Sequence, residues 1–196
     1  MSTLVSWSRR GNVVSMQHKP TSPSTQRRLW LIRHAKAVEE DTGDHGRGLS
    51  PRGRADAAAL GTWLVAQDYR PAQVLCSTAT RTRETLGLIA DAFAEVGNLP
   101  TILRDKLYLA PPGELLREIQ TADDAVETLM LIAHNPGLHG LLALLAGEYE
   151  HASDEQRVTM KFPTSACAVL TTDAARWREI TPHSMKLEVL RWQAES

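Results

Sequence analysis

The stretch LWLIRHAKA, residues 29–37, decides how the chain is read. Four apolar residues run directly into Arg33 and His34. A continuous apolar run this short fits a strand covered on both faces, as in a parallel sheet. A buried strand that ends in two bulky, titratable side chains needs something for them to face.

Three more runs share this character: QVLC (73–76), LMLIA (129–133) and ACAVL (166–170). MKLEVLRW (185–192) sets Leu187, Val189 and Arg191 against Glu188 and Leu190 and reads as an edge or terminal strand. Helical patterns lie between the runs. Ser50 is an N-cap followed by Pro51 at the first helical position. Behind it Ala57, Leu60, Gly61 and Leu64 form one helical stripe, and Leu86, Ile89, Ala90 and Phe93 repeat that spacing. Leu115, Leu116 and Ile119 make a shorter stripe after Pro111-Pro112-Gly113. LHGLLALLA (138–146), apolar nearly all round and stopped by Gly147, reads as a buried helix. Strands alternating with helices give one α/β domain, residues 28–196, with a mostly parallel sheet and no internal repeat.

Residues 1–27 are expected to form a flexible N-terminal leader. Within them SRRGNVV (8–14) superficially matches a twin-arginine export signal. The polar, proline-bearing stretch that follows lacks the apolar run of roughly 7–15 residues such a signal needs. No stretch approaches the roughly 20 apolar residues of a membrane span. A net charge of −1 over 196 residues argues against a nucleic-acid groove or a polybasic membrane patch. The two cysteines, Cys76 and Cys167, sit inside apolar runs without CxxC spacing, which fits reduced, buried thiols in a cytoplasmic protein.

The polar residues collect where strands end. LWLI stops at Arg33-His34, QVLC at Ser77 with Arg81 four residues on, and LMLIA at His134-Asn135. Open α/β sheets bind ligands beyond the carboxyl ends of their strands, so these residues are expected on one edge. A cluster of cations there implies an anion. Guanidinium groups match phosphate oxygens, and a strand-to-helix turn such as 77–81 adds backbone donors, so a phosphoryl group fits best. Carboxylate and sulfate are weaker candidates.

Two residues could be the nucleophile. Cys76 stands four residues before Arg81, with the wrong spacing for a Cys-x5-Arg phosphate loop, and it ends an apolar strand where an inert thiol is expected. His34 is the better nucleophile, because neutral imidazole is competent near neutral pH and forms a phosphohistidine that water can hydrolyse. No metal motif is present; His134 and His139 are five apart rather than four.

LIRHAKA, CSTATRTRET and LIAHNPGL resemble the three signatures of the histidine phosphatase superfamily. GRGLSPRGRADA, LYLAPPGELL and KFPTSACAVL further resemble its short SixA phosphohistidine phosphatase branch. The resemblance runs from about residue 28 to the C-terminus. It implies a phosphoglycerate-mutase-like three-layer sandwich, a mostly parallel central sheet flanked by helices. It makes His34 the phosphorylated nucleophile, gives the phosphoryl oxygens to Arg33, Arg81 and His134, and marks Arg47 as a substrate-side arginine. Ser77 and Asn135 are further candidates for substrate binding, and no cofactor is expected. Asp105 lies near the place where ester-cleaving members carry a leaving-group acid, but it is shorter than their usual Glu. Ala35 stands where many relatives have glycine. A short carboxylate in the acid's place and a short Arg81–His134 interval favour a protein-borne phosphohistidine at an open site. The alternatives are a small phosphate monoester or nucleotide, or a phosphate-binding module without turnover.

Overall fold

The computed structural model describes residues 26–39, 43–67, 70–95 and 97–192. Of the expected leader, residues 1–25 lie outside this set, whereas Arg27 already belongs to the first strand. The strands are β1 (Arg27–Arg33), β2 (Gln73–Ser77), β3 (Thr101–Arg104), β4 (Thr128–Ala133), β5 (Ala146–Tyr149), β6 (Cys167–Thr172) and β7 (Met185–Arg191). The helices are α1 (Pro51–Ala66), α2 (Thr80–Ala92), α3 (Pro112–Gln120), α4 (Gly137–Leu145) and α5 (Ala152–Met160).

The strands form one sheet in the order β3-β2-β4-β1-β6-β7-β5, parallel except where β6 meets β1 and β7. Alternate residues of β1 supply two cores. Trp30 and Ile32 pack with Leu60 and Leu64 of α1 and Leu86 and Ile89 of α2. Leu29 and Leu31 pack on the other face with Leu115 and Ile119 of α3, Leu138, Leu141, Leu142 and Leu145 of α4, and Val158 of α5. Burial on both faces is why the run at 29–32 shows no polar alternation. The result is the expected three-layer α/β sandwich.

Register then positions the site. Ile32 pairs with Ile132, and Cys76 also pairs with Ile132, so β1, β2 and β4 end side by side. Antiparallel β6 brings its leading loop, residues 161–166, to the same edge. The start of α1 closes this edge: Ser50 N and Oγ both donate to the Lys36 carbonyl, and Ser50 Oγ accepts from Gly53 N at 3.1 Å. A Cβ on Gly53 would lie 2.0 Å from the Lys36 oxygen, so only glycine lets the helix approach this closely.

Two expectations about elements change, and β3 and α5 had no expectation. The helix read over 138–146 ends at Leu145, because His183 N takes the Leu144 carbonyl at 2.8 Å and Ala146 pairs with Met185. Of the edge or terminal strand expected over 185–192, the terminal half holds, since β7 is the last described element, but it is not at the sheet edge, because β5 pairs along its outer side. β3 and α5 carry no apolar stripe; β3 is largely exposed, and only Asp154 and Val158 of α5 are buried. No helix among the described residues is long and apolar enough to cross a membrane.

Candidate active site

His34 follows β1 directly and is 8% exposed. Its Nδ1 lies 2.8 Å from the Ala35 carbonyl, which can only accept, so Nδ1 carries the proton and Nε2 a lone pair. Arg81 Nε donates to that Nε2 at 3.3 Å. The backbone holds the ring in place: His34 N donates to Ala133 O at 3.2 Å, and Ser165 N donates to His34 O at 3.3 Å. Ala35 N donates to Thr85 Oγ1 at 3.0 Å. Ala35 is fully buried and is not among the residues with positive φ, so this position makes no demand for glycine.

Arg81 sits in the first turn of α2 and is 2% exposed. Its NH2 donates to His134 Nδ1 at 3.2 Å. His134 must therefore carry its proton on Nε2, which donates to Ser77 Oγ at 2.8 Å. The two imidazole rings are 5.1 Å apart. Burial lowers the His34 pKa to about 4, with Arg81, Arg33 and Arg47 adding to the effect and the Ala35 hydrogen bond opposing it. Burial also lowers His134 to about 3, helped by His34 and Arg81. Both rings are neutral at neutral pH. Burial, then the neighbouring Arg81, lowers Arg33 as well.

Arg33 NH1 and Asn135 Nδ2 both donate to the Phe162 carbonyl, at 3.0 and 2.7 Å. Asn135 is thus tied to the loop before β6 rather than to the two histidines. Asn135 Oδ1 and Arg33 Nε are buried without a hydrogen-bond partner among the described residues. Arg47 donates to the Val38 carbonyl and to Asp44. Asp105 is exposed and accepts from Thr78 Oγ1 at 2.7 Å. Cys76 does not compete as nucleophile: burial pushes its thiol up to about 12, and Sγ lies 3.3 Å from the Ser77 carbonyl.

Sequence reasoning passed over Asp44 and Tyr108. Asp44 Oδ2 accepts from Arg81 NH2 at 2.9 Å and from the Tyr108 hydroxyl at 2.6 Å. Arg47 donates to its Oδ1, and Arg81 NH1 donates to its main-chain carbonyl. Hydrogen bonds from Tyr108, Arg47 and Arg81 hold this carboxyl well below the usual carboxylate range. The available signal was the spacing of Asp44 three residues before Arg47 in a loop. Tyr108 lies within LYLAPPGELL, but nothing in that stretch singles it out; it reaches the site because the turn after β3 folds over the end of β2.

Residues 29–108 match the family profile of the histidine phosphatase superfamily (branch 1). An uncharacterised protein of Mycobacterium tuberculosis is 39% identical over 154 residues, covering 77% of this chain and 92% of that protein. Two solved structures assigned as the phosphohistidine phosphatase SixA share the fold. That from Agrobacterium tumefaciens has a TM-score of 0.71 and 30% identity, over 85% of this chain and 98% of its own. That from Nakamurella multipartitia has a TM-score of 0.74 and 26% identity, over 87% and 98%. The strand-end motifs, the sheet and these relatives agree: the chain belongs to the histidine phosphatase superfamily, on its SixA branch, and is a phosphatase.

Proposed function

We propose that the chain hydrolyses phosphohistidine carried on a protein, through a phosphorylated His34 and without a metal ion. The observation that carries this reading is the His34 tautomer: Nδ1–H is held by Ala35 O, and the Nε2 lone pair faces the buried Arg81 guanidinium. In the first step Nε2 attacks phosphorus as the bond to the substrate imidazole breaks, and that ring, protonated on its other nitrogen, leaves as neutral imidazole. Arg33, Arg81 and His134 stabilise the equatorial oxygens. In the second step water attacks phosphorus, the P–Nε2 bond breaks, and inorganic phosphate leaves with neutral His34 restored.

The leaving group favours phosphohistidine. An alkoxide needs a proton in the transition state, and such help is worth roughly 10²–10⁴-fold. Asp44 is held ionised, and Asp105 is exposed and occupied by Thr78, so neither carboxyl is presented as an acid. A phosphohistidine ring protonated on its other nitrogen leaves as neutral imidazole without that help. Access points the same way. Among the described residues, the chain between Arg81 and His134 forms only the rest of α2, β3, one 3-10 turn, α3 and β4, with no added covering layer. The SixA assignment of two structural relatives supports the same substrate class.

The test compares kcat/KM on a phosphohistidine-bearing protein with that on p-nitrophenyl phosphate and a nucleoside monophosphate. The phosphoprotein is expected to be the better substrate by at least about 100-fold, the scale of one missing general acid. Fast turnover of a small ester with none on the phosphoprotein would sink the reading.

A further inference from the structure

The sequence implies that the cation cluster awaits an external anion, yet the chain supplies one. Asp44 receives Arg81 on its carboxylate and its main-chain carbonyl, Arg47 on the other carboxylate oxygen, and the Tyr108 hydroxyl at 2.6 Å. A phosphoryl group on His34 Nε2 needs the same donors for its equatorial oxygens. Arg81 Nε stands in direct hydrogen-bond contact with Nε2, 3.3 Å away, and no phosphoryl oxygen fits between them. Its NH2 is shared by Asp44 and His134, and its NH1 is turned to the Asp44 carbonyl. In this arrangement Arg81 cannot serve both anions.

We propose that Asp44 is the resting competitor for the phosphoryl site: its carboxylate holds Arg81 and Arg47 until a phosphate group displaces it. The ligand class is any tetrahedral phosphate or its vanadate analogue. Displacement exchanges one anion for another on the same guanidinium groups, so Arg81 is never left as an unpaired buried cation. Free phosphate must compete with a tethered carboxylate, and this lowers its hold on the site after turnover. Tyr108 belongs to the device, because its hydroxyl secures the carboxylate in its ionised form. The inference does not depend on whether the substrate is a protein or a small ester.

Asp44→Asn keeps the shape of the side chain and removes its charge. Titration calorimetry of the full chain with inorganic phosphate and with orthovanadate reads the competition without turnover. The variant is expected to bind both about tenfold more tightly than wild type, the scale of one charge-assisted hydrogen bond. Tyr108→Phe, which leaves the charge but frees it, is expected to shift affinity the same way by a smaller factor. Unchanged or weaker binding in Asp44→Asn would overturn the proposal, because Asp44 would then hold Arg81 in place for the phosphate. If Asp44→Asn does not fold, the Tyr108→Phe titration decides by the same signs.

Discussion

His34 and His134 are neutral for a physical reason with a measurable consequence. Burial and nearby guanidinium groups penalise the charged imidazole, so their pKa values fall to about 4 and about 3. An ordinary imidazole titrates near ~6.5. In an NMR titration of the ligand-free protein, the ring signals of both residues are expected to stay constant from pH 8 to about 5. A transition near 6.5 at either ring would contradict the account. Cys76 supplies a second test at this scale. Its thiol is buried and pushed up to about 12, so Cys76→Ser should retain activity within about threefold, the fate of a packing residue. Loss comparable to that in His34→Ala would reassign the nucleophile. Arg33, His34, Ser77, Arg81 and His134 were legible because each stands at or just after a strand end. Asp44 was not, because a carboxylate in a polar loop looks like any solvated charge until the fold brings Arg81 to it.

At the scale of elements, two glycines set how closely the site's supports approach one another. A Cβ at Gly53 would lie 2.0 Å from the Lys36 carbonyl oxygen, and one at Gly137 would lie 1.9 Å from that of Ala110. Both contacts are with backbone, which cannot rotate away. Gly53→Ala and Gly137→Ala are each expected to destabilise the fold by roughly 1–3 kcal/mol, the usual cost of overpacking, in urea unfolding. Gly87, whose Cβ would meet nothing within 4 Å, is the control, and Gly87→Ala should be neutral or stabilising. Equal effects at all three positions would mean that close approach is not the cause. The same physics explains which elements could be read. The runs in β1, β2 and β4 are buried on both faces and announce themselves. β3 and β5 are short and largely exposed, and α5 buries only Asp154 and Val158, so their stability comes from neighbours and leaves no pattern in sequence.

For the whole molecule, the depressed histidines couple the site to acid stability. The native state keeps these imidazoles neutral, whereas the unfolded chain protonates them near 6.5. The unfolded state therefore binds more protons across this window, and stability falls as pH drops from about 6.5 toward the folded values of about 4 and 3. His134→Gln should flatten that part of the stability profile; an unchanged slope would contradict the assignment. Fold and site were legible together because the sheet topology makes one edge out of three distant motifs. The topology itself, with β4 between β1 and β2 and β6 reversed, rests on pairings that no local pattern encodes.

The central claim is tested most directly by trapping the covalent intermediate. The protein is mixed with substrate in excess EDTA, quenched in alkali within milliseconds, and the phosphorylated residue is located by mass spectrometry and ³¹P NMR. The account predicts one acid-labile, alkali-stable phosphoryl group on Nε2 of His34, formed without metal and absent in His34→Ala. Phosphate on another residue, or full turnover with no phosphorylated protein at any time, would contradict it.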